Sequence, residues 1–207
     1  MMTTTHFWWL RHAPVVDNGG LIYGGAEIDA DTSHKPTFEA LARLLPKSAT
    51  FICSRLSRTA QTLAAVREQG RHDIPSNIPT DERLNEQSLG DWHGQPIQSV
   101  FPHGGPWPHF WMLNANERAP GGESFADLCA RVTPAIHEMA ETYAGSNIVV
   151  GAHGGTIRAA IALALNLQPS AALAFSIENC SITRIDHLKK SNSQKAWRVS
   201  GTNLPPC

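Results

Sequence analysis

Residues 147–165 read NIVVGAHGGTIRAAIALAL. Ile148 to Ala152 form a short apolar run bounded by polar residues, the pattern of a buried strand. His153-Gly154-Gly155 breaks the run, and Thr156 to Leu165 then has the composition of a helix. A strand that passes through glycines into a helix is the building unit of α/β layers. Glycine also lets backbone come close to a ligand, so His153 and Gly154 mark a candidate site. A tight turn with an incidental histidine would give the same letters.

The same grammar extends in both directions. His6 to Leu10 is an apolar, aromatic run that ends in Arg11-His12-Ala13-Pro14. It reads as a strand and a break, because a residue before proline avoids the helical region. Ala49 to Cys53 predicts a second strand, followed by SRLSRTAQT at 54–62 and a helix over Ser57 to Arg67. Pro36 to Leu45 has helical spacing with proline at its start. Ser124 to Tyr143 places Phe125, Leu128, Val132, Ile136, Met139 and Tyr143 on one helical face, with Ser124 and Asp127 as cap partners. Pro134 predicts a kink or interruption there. Ile78 to Glu86, Ala171 to Ile177, Ser181 to Ile185 and Trp197 to Val199 read as extended. Together these predict one domain over 1–207, with an irregular excursion at about 95–121. The expected fold is a three-layer α/β structure, a mostly parallel sheet with helices on both faces. In such sheets sites gather at the carboxyl ends of strands.

Composition narrows the partners. Apolar residues make up 42% and charged residues 17%, and the formal charge is -1. No overall field draws the chain to nucleic acid or to an anionic membrane. The cysteines, Cys53, Cys129, Cys180 and Cys207, form no CxxC pair. Cys53 and Cys129 are expected as buried thiols, which suits a reducing compartment. The N-terminus lacks a basic secretory signal, and the longest apolar run, Ala159 to Leu165, is too short to span a bilayer. Cytoplasm is the expected location. The ten histidines include no HxxxH or HExxH spacing, so no metal is expected. The oligomeric state is open, with a homodimer one arrangement.

Four polar clusters carry candidate chemistry. Arg11-His12 follows the first strand and pairs a rigid fork of donors, matched to phosphate oxygens, with an imidazole nitrogen. Arg58 falls in the first turn of the helix after the second strand, where free N–H groups and the helix dipole favour an anion. His153 follows the strand at 147–152. Glu86, within LNEQSLGDWHG at 84–94, could give a proton to a leaving oxygen. Each has a bland alternative: an edge histidine, a solvated helix start, an incidental turn, a surface acid.

Taken in order, the clusters resemble the histidine phosphatase superfamily, also called phosphoglycerate mutase-like. The family's RHG looks like Arg11-His12-Ala13, and its S-x-L-x-R-x-x-Q-T looks like Ser54 to Thr62. Its acid segment looks like Glu86 with Gly90, Trp92 and Gly94. Its G-E-S looks like Gly122-Glu123-Ser124, and its H-G-G looks like His153-Gly154-Gly155. The resemblance implies a metal-free, cofactor-free phosphatase acting on a small phosphate ester. In that scheme His12 takes the phosphoryl group, Arg11, Arg58, His153 and Gly154 hold it, and Glu86 is the acid and base. Asn18 has the spacing of a further phosphate contact. The phosphatase branch, including α-ribazole phosphatase, fits the chain length better than the mutases do. Two residues depart from the pattern. Ala13-Pro14 replaces the family glycine and its neighbour, and raises the alternative of a weak phosphate-binding pseudophosphatase. Arg55 stands where many members have proline and is expected to face solvent. His103, Trp107, His109, Phe110 and Trp111 form an aromatic patch in the excursion, read either as a small satellite core or as a lid over the leaving group.

Overall fold

The computed structural model describes residues 2–104, 112–192 and 194–206. Its strands are β1 (Met2–Arg11), β2 (Thr50–Cys53), β3 (Asn147–Ala152), β4 (Ile182–Lys190) and β5 (Lys195–Leu204), in sheet order β2-β3-β1-β4-β5. β2, β3 and β1 run parallel. β4 is antiparallel to both β1 and β5, so β4 alone is reversed. The expected mostly parallel sheet is therefore present, with its parallel strands adjacent where the polar clusters lie.

Alternation along the strands supplies two apolar faces. Phe7, Trp9, Ile148, Val150 and Ile185 pack against α4 (Phe125–Thr142) and α5 (Gly154–Leu165) through Leu128, Val132, Ile136, Ile157 and Ile161. Leu10, Phe51, Cys53, Val149 and Ile182 pack on the other side against α1 (Lys35–Leu44) and α2 (Ser57–Glu68) through Phe38, Leu41, Leu63 and Val66. That is the three-layer arrangement. Burying side chains of this kind stabilises by about 1.5–3 kcal/mol each. Two short helices, α3 (Ile97–Val100) and α6 (Pro169–Ala172), complete the set.

Several local expectations change. Ala171 to Ile177 is not a strand: Pro169 starts α6, and the chain then runs irregularly to Ile177. Its carbonyls at Phe175 and Ile177 accept from Arg158 and Arg11 rather than from a sheet neighbour. Ile78 to Glu86 is extended only at its start, where Pro79 and Asp81 bond to Cys53 at the edge of β2. Asp81 then caps a short 3-10 turn over Glu82–Leu84. α4 runs unbroken through Pro134, which faces solvent, and its Ser124–Asp127 capping box is formed. Cys53 and Cys180 are buried thiols, but Cys129 is only partly buried. Trp107, His109, Phe110, Trp111 and Cys207 lie outside the described residues. Among the described residues no helix is long and apolar enough to cross a membrane.

Candidate active site

Register brings three clusters to one place. Arg11 at the end of β1 pairs with Ala152 at the end of β3, and Cys53 at the end of β2 pairs with Gly151. The next residues, His12 and Ser54, extend these ladders by N–H donation to Ala152 and Gly151, at 3.0 and 3.1 Å. The His12 and His153 rings then lie 5.1 Å apart, centre to centre.

His12 is buried, and its Nδ1 lies 2.6 Å from the carbonyl oxygen of Ala13. A carbonyl only accepts, so Nδ1 carries the proton and Nε2 keeps its lone pair. Burial first, then Arg58 and Arg11, push the His12 pKa down to about 3, against a small opposing effect of the Ala13 carbonyl. At neutral pH the ring is therefore uncharged. Ala13 does not obstruct it. The backbone there is not left-handed, and the Ala13 methyl sits in the core beside α1 and α2. Ala13 N–H donates to Thr62 Oγ1 at 2.8 Å, which fixes the turn.

The arginines approach from two sides. Arg58 is fully buried, gives Nη1 to Ala26 and Nη2 to Gly24, each at 2.8 Å, and lies 5.5 Å from the Tyr23 ring centre. Arg11 gives Nη1 to the Ile177 carbonyl. Three buried nitrogens of this group have no partner: Arg11 Nε, Arg58 Nε and His153 Nδ1. Leaving buried polar groups unpaired costs about 1–3 kcal/mol each, and all three belong to residues grouped electrostatically around His12, a candidate place for an anion, although Arg58 and His153 do not themselves line the cavity. Burial, with help from His12 and both arginines, holds the His153 pKa well below its usual value. Its Nε2 lies 2.7 Å from Ser54 Oγ.

Glu86 is seated by backbone. Gln87 N–H reaches Oε1 at 2.9 Å and Gly155 N–H reaches Oε2 at 3.1 Å. Any Cβ at Gly155 would stand 2.3 Å from Glu86 Oε1, so a side chain there would push the Glu86 carboxyl from its place. Gly154 does a related service, since a Cβ there would meet Arg158 Nη1 at 3.1 Å and Arg11 Nε at 3.8 Å.

Sequence reasoning misplaced or missed some parts. Asn18 uses its side chain within its own loop, donating to Leu21 at 2.6 Å and accepting from Gly20 at 3.3 Å, and it does not line the cavity. The expected anion position at the start of α2 is taken by Glu27, which accepts from Ser57 N and Oγ at 3.1 and 2.7 Å. Arg55 faces solvent beside Glu82, as expected. Arg158 was not anticipated. It is a buried guanidinium whose pKa is pushed down to about 10, chiefly by burial. Its position four residues after Gly154 was the available signal, since that spacing sets its side chain over the first turn of α5. Among the described residues no three His, Cys, Asp or Glu side chains are grouped as metal ligands.

Arg11, His12 and Glu86 form the polar end of a cavity of about 910 Å³. Such an arrangement can bind a tetrahedral anion against a neutral imidazole, with a carboxyl group beside it.

Comparison with known proteins identifies the family and the fold. The model of the histidine phosphatase superfamily (branch 1) matches residues 7–200. A probable phosphoglycerate mutase GpmB of Yersinia enterocolitica is 32% identical over 152 residues, 72% of this chain and 66% of that protein. The aligned part of the chain thus spans just under two thirds of such relatives. A mycobacterial glucosyl-3-phosphoglycerate phosphatase shares the fold with TM-score 0.81 at 24% identity, over 97% of this chain and 99% of that one. A putative alpha-ribazole-5'-P phosphatase of Escherichia coli does so with TM-score 0.70 at 20% identity, over 98% of each chain.

Proposed function

Because the chain belongs to the histidine phosphatase superfamily, branch 1, we propose that it hydrolyses the phosphomonoester of a small metabolite through a phosphohistidine on His12. The carrying observation is the state of His12: Nδ1 donates to Ala13, the ring is neutral, and cations flank it. A nucleophilic imidazole needs that combination, and phosphoryl transfer needs the positive surround.

The chemistry follows in two steps. His12 Nε2 attacks phosphorus, the P–O ester bond breaks, and Glu86 gives its proton to the departing oxygen. A water then attacks phosphorus while giving a proton to the Glu86 carboxylate; the new P–O bond forms, the P–N bond breaks, phosphate leaves and His12 is restored. Arg11 Nε, Arg58 Nε and His153 Nδ1 are the unpartnered nitrogens suited to the equatorial oxygens, where the transition-state charge resides. Gly154 keeps that space open beside Arg11. A cytoplasmic enzyme fits the thiols of Cys53, Cys129 and Cys180, which form no disulfide.

A mutase is the second reading, favoured by the name of the Yersinia relative. An α-ribazole-5'-phosphate phosphatase is a third, favoured by the fold of the Escherichia coli protein. A pseudophosphatase is disfavoured, because Ala13 leaves the site unobstructed. The test is hydrolysis of p-nitrophenyl phosphate in chelator, wild type beside His12→Ala, with rapid acid-free quenching to trap phosphoenzyme. The expected result is turnover and an acid-labile, base-stable phosphoryl group in the wild type alone. Equal rates for the two proteins would refute the assignment.

A further inference from the structure

We propose that the leaving group is a bulky apolar alcohol, aryl-alkyl or branched alkyl, rather than a hydroxy acid or a polyol. This rests on the phosphomonoesterase reading and adds the chemical class of the ester. Of the residues lining the cavity of about 910 Å³, Arg11, His12 and Glu86 stand at the phosphate end, and a remainder of the lining extends beyond them. That remainder has an apolar wall of Leu21, Ile22, Leu89, Ile97, Phe101 and Met112.

The wall is backed by packing. Ile22 and Leu89 belong to a small core with Ala119, against which Trp92, Phe101 and Met112 rest. Trp92 meets Phe101 edge-on at 5.2 Å. The mouth is different: Leu21 and Ile97 are left 38% and 43% exposed. They are held together, because Leu21 bridges to Pro96 and Ile97 N–H donates to Gly20 at 3.2 Å. Large apolar side chains kept in water at a concave, preformed site are what an apolar ligand would cover.

Charge argues the same way. Among the described lining residues Arg11 is the only arginine or lysine, and it is committed to the phosphoryl position. Among the described lining residues a carboxylate on the leaving group would find no second cation, and it would face Glu86. Polyol hydroxyls would find little more. Gln87 already donates Nε2 to the Glu123 carbonyl at 2.9 Å, which leaves Oε1, Tyr23 and Gln98 as the polar handles. Several hydroxyls would lose water without replacement partners, a costly exchange.

The experiment compares kcat/KM for 2-phenylethyl phosphate, glycerol 3-phosphate and 3-phosphoglycerate, whose alkyl leaving groups have similar intrinsic reactivity. Burying one ring predicts a preference of roughly 10- to 100-fold for the phenylethyl ester. Leu21→Gln and Ile97→Gln, at exposed positions, should reduce that ratio several-fold, whereas a general lesion lowers all three rates alike. An equal or better rate with either polar ester, or an unchanged ratio in both variants, would overturn the proposal. Calorimetric binding of 3-phenylpropylphosphonate against methylphosphonate separates the two readings. If no ester turns over, the hydrolase reading fails. Tenfold tighter binding of the phenylpropyl compound would still support the apolar site, and equal binding would overturn it.

Discussion

His12 should make this protein lose stability as pH falls through a defined window, and His12→Asn should remove that loss. In the folded chain the pKa is about 3, against an ordinary value of 6.5. Between those values the unfolded chain binds a proton that the folded chain rejects. The contribution is complete above pH 6.5 and drains away as pH drops towards 3, by about 1.4 kcal/mol per unit once well below 6.5. From pH 7 to pH 4.5 the linkage amounts to roughly 2.5 kcal/mol. Asparagine does not titrate, and its amide can still donate towards Ala13. Urea unfolding of both proteins at the two pH values gives the double difference, in which acid effects common to both cancel. The wild type should lose about 2.5 kcal/mol more than His12→Asn. Parallel losses would mean that folding leaves the proton affinity of His12 unchanged. The neutral nucleophile, and the mechanism built on it, would then fail.

Other consequences can be checked alongside. Glu86→Gln should cut kcat by about 10²- to 10⁴-fold on alkyl phosphates. The loss should be far smaller on p-nitrophenyl phosphate, whose leaving group needs little protonation, and equal losses would remove Glu86 as the acid. Gly155→Ala sets a methyl 2.3 Å from Glu86 Oε1 and 2.9 Å from Leu128 Cδ2. It should destabilise by about 1–3 kcal/mol and reproduce the leaving-group dependence of Glu86→Gln, measured by unfolding and a rate series. Ser124→Ala removes the capping box of α4 and should cost about 1 kcal/mol in urea unfolding, with p-nitrophenyl phosphate turnover intact because Ser124 lies outside the cavity.

Strands followed by polar breaks were legible because their signals are local. β3 is apolar over Ile148–Ala152 and stops at a histidine and two glycines, and β2 stops at Ser54. The α4 start was equally plain, since Ser124 and Asp127 announce each other at fixed spacing. Ala171 to Ile177 failed for a physical reason. A short apolar run has no period of its own, and its carbonyls bond to Arg11 and Arg158, which the local sequence cannot reveal. The Asn18 amide is likewise governed by its surroundings: it donates to Leu21 and accepts from Gly20 within the Gly19-Gly20 turn.

The sequence by itself determined which residues would stand at strand ends: Arg11 and His12 after β1, Ser54 after β2, His153 after β3. Breakers and periodicity act over a few neighbours, so the linear order suffices for that. Only the tertiary structure decided that these ends are adjacent, through the order β2-β3-β1. It also decided that His12 holds its proton on Nδ1, that Glu86 rests on Gly155, and that the cavity beside them has a largely apolar lining. Proton position, charge and solvent exclusion depend on groups brought together from distant parts of the chain, and folding alone supplies that neighbourhood.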